Sequence, residues 1–368
     1  MNQTSRIILS LLCGVLILAA PFLISSPSLL EEAAQKITEQ LDQEEDLDLG
    51  DDGDIELNLG RLLFTGACAE EAGDSLIVEE VQDDNATLGP AVYELPLDFT
   101  VPPAPKAENF SGNTYADETI IAREEDREED GVLWHLIYVQ IASPTQLRTA
   151  TAIPDKLTNT RKTSSVPGMA KANNAVCAIN GNNYQAETDK KTFEYRMTQK
   201  VRSKTNWTKD ILIIDDQGDF HLVKGNPDGK RNTVTKEQAA ALEAVAAECR
   251  IVNAMTFGPA LVVDGEEQDI SEHYGFNPNR KEPRAAIGQM GRLSYVMAIA
   301  EGRGSSSGVN FQELAHFMAS LGCQQAFNLD GGNSAVMTFG DQEYRGMPSG
   351  GERSLYDIIY FATALPEG

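Results

Sequence analysis

Apolar residues beyond position 130 fall into short runs, rich in Val, Ile and aromatics, that polar or glycine-bearing segments interrupt. Runs of this length bounded by turn residues predict strands. They cover Leu133 to Ile141, Ala175 to Ile179, Ile211 to Asp215, Phe220 to Val223 and Ala260 to Val263. Further along they cover Leu293 to Ala300, Gln325 to Leu329, Ala335 to Phe339 and Tyr356 to Ala364. Asp215-Asp216-Gln217-Gly218-Asp219 reads as a hairpin turn, and Met290-Gly291-Arg292 precedes Leu293 in the same manner.

Helical periodicity is rarer. Thr235 to Cys249 is alanine-rich, with Thr235 placed to cap it. Phe311 to Leu321 puts Phe311, Leu314, Ala315, Met318 and Leu321 on one stripe, after Asn310 and with Glu313 placed as in a capping box. Strands and helices do not alternate regularly. The pattern therefore predicts a mixed α/β (α+β) domain, a strand-rich twisted sheet with a few packed helices.

Charge divides the chain. The stretch from Glu31 to Asp130 holds 30 acidic and five basic residues, so nearly all of the net charge of −26 belongs to it. Such a stretch repels itself and buries little apolar surface, which predicts a largely disordered acidic spacer over residues 31–112 and a folded unit from 113 to 368. The acidity argues against a nucleic-acid partner. A weak cation sponge at Glu44 to Asp54 is the rival reading, but the run lacks the spacing of a calcium loop. Ile7 to Ile24 contains no charge and lies between Arg6 and Glu31-Glu32, which predicts a signal peptide or membrane anchor over residues 1–30. The chain is accordingly expected outside the cytoplasm, tethered to the membrane or secreted.

The five cysteines (Cys13, Cys68, Cys177, Cys249, Cys323) show no paired spacing, so neither a disulfide framework nor a zinc motif is legible. No G-x-S-x-G elbow, H-E-x-x-H or P-loop occurs. Among the histidines, His135 lies in a strand, His221 in a hairpin and His316 on a helix away from its apolar stripe. Only His273, in a loop, is placed as a site residue.

Three segments set polar residues and glycines directly after an apolar strand, where side chains emerge at a sheet end. They are Asn180-Gly181-Asn182-Asn183-Tyr184, Pro283-Arg284-Ala285-Ala286-Ile287-Gly288 and Asn328-Leu329-Asp330-Gly331-Gly332-Asn333. Each has a plain reading, since Asp-Gly makes tight turns and arginine pairs with surface carboxylates. Together, a carboxylate, carboxamides and an arginine beside glycines suit a site for a sugar and a phosphate. The run Gly302 to Gly308 reads equally well as an anion cradle or as a linker.

In this order the segments resemble the phosphodiester glycosidase family, from about Tyr115 to Leu365. Pro283 to Gly288 is similar to the family's P-R-T-A-I-G. Gly302-Arg303, Ser307-Gly308 and Glu313-Leu314-Ala315 are similar to its G-R, S-x-G and E-L-A, and Asn328 to Gly332 matches N-L-D-G-G. The chain departs from the family where N-G-G-F-F becomes Asn180-Gly181-Asn182-Asn183-Tyr184, at Asn333, and at Glu301, which stands for a frequent aspartate.

The resemblance implies a single catalytic domain that hydrolyses a sugar-1-phosphodiester to free sugar and phosphomonoester, with a role in cell-surface polysaccharide metabolism. It implies Asp330, Arg284 and Glu301 as the catalytic set. Substrate would be bound by Asn180, Gly181, Arg303, Ser307, Asn328, Gly331, Gly332 and Asn333, with His273 added from its loop position. No organic cofactor is called for, and a divalent cation is compatible with the carboxylates. The alternative is a non-catalytic, membrane-tethered factor that binds polysaccharide or assists its assembly.

Overall fold

The computed structural model describes residues 98–153, 156–158, 162–182, 192–203, 208–228 and 236–365. The apolar segment at 1–30, the acidic stretch through residue 97, Cys13, Cys68, Asn183, Tyr184 and the cap at Thr235 lie outside them. Among the described residues the chain forms three sheets and three α-helices. The helices are α1 (Val166–Ala172), α2 (Lys236–Glu248) and α3 (Phe311–Ser320).

The largest sheet has nine strands, and at its centre Val132–Ile141, Ser294–Ala300, Arg284–Gly291 and Gln325–Leu329 lie side by side. A second, five-stranded sheet runs Phe220–Val223, Asp210–Asp215, Ile251–Phe257, Phe193–Arg196 and Gln199–Ser203. The third runs Gln342–Arg345, Val336–Phe339, Cys177–Asn180, Asp357–Phe361 and Leu147–Thr151. Every pairing is antiparallel.

The period of two along each strand assigns its faces. Ile137, Val139, Met297, Ile299, Ala285, Ile287 and Phe327 point to a core shared with Ile179, Met337, Ile359 and Phe361 of the third sheet and Leu212 and Ile214 of the second. Their neighbours Leu136, Ala286, Val296, Ala298 and Ala326 face the other way, against α3. Phe317 of α3 stacks on Trp134, with ring centroids 3.5 Å apart. Gly288 makes the helix seat possible, because a Cβ there would lie 2.5 Å from Cys323 Sγ and 3.0 Å from Met318 Cε. The small residues at Ala286 and Gly288 thus have a packing reason independent of chemistry.

The expected strands and both expected helices are present, and the strand-rich description with a few packed helices holds. The mixed α/β reading holds only coarsely, because the fold is mostly β and its strands divide among three sheets rather than forming one. Several strands carried no apolar signature. Ile120–Glu129 is one, pairing along its whole length with Val132–Ile141 despite its acidic run. Its Arg123, Glu125 and Arg127 form a ladder of ion pairs on one face, which lets so charged a segment lie in a sheet. Structure also extends ahead of Asn113, where Phe110–Ser111 pairs with Thr114–Ala116 and the Arg148 guanidinium donates to the carbonyls of Asp98 and Thr100. No described helix is long and apolar enough to cross a membrane.

Candidate functional site

Three central strands of the large sheet end or begin at one edge: Arg284 pairs with Ala300, and Ala285 with Leu329. Pro283, just before Arg284, is where the backbone of this edge converges. Gly332 N–H donates to its carbonyl at 2.9 Å, and a Cβ on Gly331 would lie 2.5 Å from the same oxygen. Cβ atoms on Gly302 and Gly346 would lie 2.9 Å from Pro283 N and 3.0 Å from its Cβ. Pro283 to Gly288 is therefore a strand with its approach, not a loop after a strand as its sequence suggests.

Gly331 has extended backbone, φ −101° and ψ −163°, open to any residue, so contact alone excludes a side chain. Gly331→Ala is expected to destabilise the chain by about 1–3 kcal/mol, an overpacking cost. Urea titration checks this; an unchanged midpoint would mean the turn yields freely.

Arg284 is 5% exposed, and its guanidinium lies 3.9 Å from the Phe311 ring centroid. It donates to four carbonyls, those of Val309, Phe276, Asn277 and Arg280, at 3.0–3.4 Å. Burial lowers its pKa to about 10; Glu282 works to raise it and the like charge of Arg303 to lower it further. It stays charged near neutrality and ties the 276–280 loop and the approach to α3 to the sheet edge.

Asp330 is 7% exposed and follows the Gln325–Leu329 strand. Its Oδ2 lies 3.9 Å from Arg353 Nη1. Asn333 holds Arg353 in place: its side chain donates to Gly351 O at 2.7 Å and its carbonyl accepts from Arg353 N–H at 3.1 Å. Arg353 also donates to Ser334 Oγ at 3.0 Å. Asn180 is fully buried; it donates to Asp330 O at 3.0 Å and accepts from Val336 N–H at 3.3 Å. Asn328 donates to Gly258 O at 2.8 Å. Asn180 thus braces the turn that carries Asp330, and Asn328 ties its strand to the backbone at Gly258.

Arg303, half exposed, donates to Glu282 Oε2 at 2.5 Å, and its guanidinium passes over Gly332, where an added Cβ would lie 3.8 Å from Nη1. The loop from Gly302 to Gly308 is pinned by Ser306, which donates to Glu301 O at 2.7 Å and accepts from Leu133 N–H. Ser307 is exposed and its hydroxyl donates to Gly308 O. At the start of α3, Asn310 and Glu313 complete a reciprocal capping box, so a carboxylate already occupies the position that an anion would take.

Two expected site residues point elsewhere. Glu301 pairs with His135 Nε2 at 3.0 Å, and His135 Nδ1 pairs with Asp126 at 2.5 Å. Strand alternation turns Glu301 away from the face of Ala300 and Arg284, so it lines a different cluster from Asp330. His273 is 67% exposed and pairs with Asp228 at 2.5 Å on the surface. Gly181 is close to the turn through Asn180, but a Cβ there would meet Asp357 Oδ1 at 2.5 Å. That carboxylate also accepts from Asn182 N–H and from the buried Arg196.

Arg353, Glu282, Asp357 and Arg196 were not legible as site residues. None of them belongs to a motif, and only the fold sets Arg353 beside Asp330, Glu282 against Arg303, and Asp357 with Arg196 beneath Gly181 and Asn182. The assembled edge offers the Asp330 carboxylate at a strand end, two half-exposed guanidinium groups, one of them paired with Glu282, and side-chain-free backbone. Chemically, it can hold an anion and set a proton acceptor beside it.

A 108-residue stretch is 32% identical to the SPbeta prophage-derived uncharacterized protein YomE of Bacillus subtilis (strain 168), spanning 29% of this chain and 17% of that protein. The fold is shared, with a TM-score of 0.50 and 17% identity, by a hypothetical protein from Synechocystis, over 66% of this chain and 62% of the other. It is shared at the same TM-score and 15% identity with the catalytic domain of zebrafish N-acetylglucosamine-1-phosphodiester alpha-N-acetylglucosaminidase, auto-inhibited by its pro-peptide, over 71% and 87% of the two chains. The family model for phosphodiester glycosidases matches residues 173–362, the stretch that holds every segment described at this edge. The chain belongs to the phosphodiester glycosidase family.

Proposed function

We propose that this chain hydrolyses a sugar-1-phosphodiester to free sugar and a phosphomonoester, acting outside the cytoplasm on cell-surface polysaccharide or its precursors. The observation that carries the reading is Asp330 set 3.9 Å from Arg353 in a turn that Arg303 overhangs. The substrate class rests on the family and on the zebrafish neighbour, which is named for such a phosphodiester. Export rests on the uncharged Ile7 to Ile24 segment, which also supplies a membrane tether.

In this scheme Arg303 and Arg353 hold the phosphate. Arg284, whose fork is occupied by carbonyls, supports the edge from beneath. The bond from the anomeric carbon to the phosphate oxygen breaks, and the phosphate leaves as an anion that needs little protonation. Asp330 accepts the proton of the attacking water or steadies the oxocarbenium-like charge.

The test is turnover of a panel of sugar-1-phosphodiesters by the full chain in ¹⁸O-water. Label in the released sugar is expected. Label in the phosphate would mean cleavage on the phosphorus side, and binding without turnover would favour the polysaccharide-binding factor. Arg353→Ala is expected to raise KM by about 10- to 100-fold, the loss of one charge-assisted hydrogen bond of about 1.5–3 kcal/mol. An unchanged KM would remove Arg353 from the phosphate site.

A further inference from the structure

One group of donors in the second sheet has no part in the scheme above. Asp215 ends the Asp210–Asp215 strand, His221 lies in the hairpin partner Phe220–Val223, and Cys249 follows the last residue of α2. One donor atom from each lies within 4.8 Å of the other two. In the sequence these residues have no metal-ligand spacing; the hairpin and the return of α2 create the cluster.

The geometry is built rather than accidental. The amides of Gln217 and Asp219 both donate to Asp215 Oδ1, at 2.8 and 2.9 Å. This orients the buried carboxylate so that Oδ2 faces His221 Nε2 at 2.8 Å. Cys249 Sγ approaches the same point from α2, where its thiol donates to Val245 O at 3.1 Å. Asp216, Asp219 and Glu248 add negative charge around the cluster.

We propose that Asp215, His221 and Cys249 bind one zinc-class divalent cation. A thiolate with an imidazole and one carboxylate suits zinc and disfavours calcium or magnesium, which take oxygen donors. Four-coordinate zinc, with bonds of about 2.0–2.3 Å, holds its donors roughly 3.3–3.8 Å apart. Reaching that range requires the 2.8 Å spacing of His221 Nε2 and Asp215 Oδ2 to open as the ion enters between them, while the thiol lies within 4.8 Å of both. Binding replaces the Cys249 S–H and the His221 to Asp215 hydrogen bond with three metal bonds; the thiol proton is released, the imidazole gives up its Nε2 proton and ligates as the neutral Nδ1–H tautomer, and water completes the shell.

The physical consequence is a staple. Most described side chains of α2 are exposed, and Leu242 and Val245 supply its apolar contact with the sheet. A metal at its carboxyl end would fix the helix to the hairpin.

The test uses the full, reduced, chelator-stripped chain titrated with cobalt(II) and then zinc. One equivalent of cobalt is expected to give a thiolate-to-cobalt absorption band with the visible bands of a four-coordinate ion, and zinc should displace it. Cys249→Ser is expected to lose the thiolate band and His221→Asn the four-coordinate spectrum, with hydrolysis at the distant edge unchanged in both. X-ray absorption of the zinc-loaded wild type should show one sulfur at about 2.3 Å, and this readout does not depend on any variant folding. Absence of sulfur from the shell, or a thiolate band that persists in Cys249→Ser, would overturn the proposal.

Discussion

Asp330→Asn is expected to lower kcat by about 10²–10⁴, the range for loss of a positioned acid or base, while leaving the fold in place. The replacement keeps side-chain volume, and Arg353, 3.9 Å away and partly exposed, loses only a screened partner. The stability change should stay within about 1 kcal/mol. Steady-state kinetics on a sugar-1-phosphodiester together with thermal melting separate the effects. Full activity in the variant would end the assignment. The pH profile distinguishes two roles: if Asp330 is the base, the acidic limb of kcat disappears with it, whereas a charge stabiliser lowers the plateau and leaves that limb.

Asp357→Ala should have the largest effect on stability. Asp357 is 6% exposed; it accepts from Arg196 Nη2 at 2.7 Å and Nε at 3.2 Å, and Asn182 N–H donates to its other oxygen. Arg196 is 1% exposed, and Glu194 at 2.5 Å is its remaining carboxylate. Removing one partner leaves a buried charge under-compensated, at a cost of about 3–5 kcal/mol. The midpoint of urea unfolding should fall with its slope unchanged. Replacing both partners with apolar residues, as Arg196→Met with Asp357→Leu, should recover part of the loss. A double variant no better than the single one would show that Asp357 acts through the Asn182 amide and not through the ion pair. Because Gly181 and Asn182 rest on this carboxylate, activity should fall with stability.

Much of the fold was legible because burial leaves a period. Runs such as Leu133 to Ile141 and Gln325 to Leu329 carry it, and the Asn310 to Glu313 box marks the start of α3. Ile120–Glu129 was hidden because Arg123, Glu125 and Arg127 pair along one strand face, an arrangement invisible to an apolar pattern. Motifs marked candidate residues but carry no record of the partners their side chains find in the fold. Arg284 donates to backbone carbonyls, Asn180 to the carbonyl of Asp330 and Asn328 to that of Gly258, partners that no local spacing announces. Arg353 had no local signal, because its relation to Asp330 is made through Asn333 and Ser334.

The Asp357–Phe361 strand lies between Cys177–Asn180 and Leu147–Thr151, and Ala362 O and Ala364 N–H bond to the side chains of Gln146 and Thr119. The third sheet therefore cannot close until residue 361 has left the ribosome, some two hundred residues after its first strand has emerged. Pairings so distant in sequence form slowly. During that delay the edges of Leu147–Thr151 and Cys177–Asn180 are open templates for other chains. Nascent chains stalled before the last strand should thus be sticky and protease-sensitive, and those released after it should not.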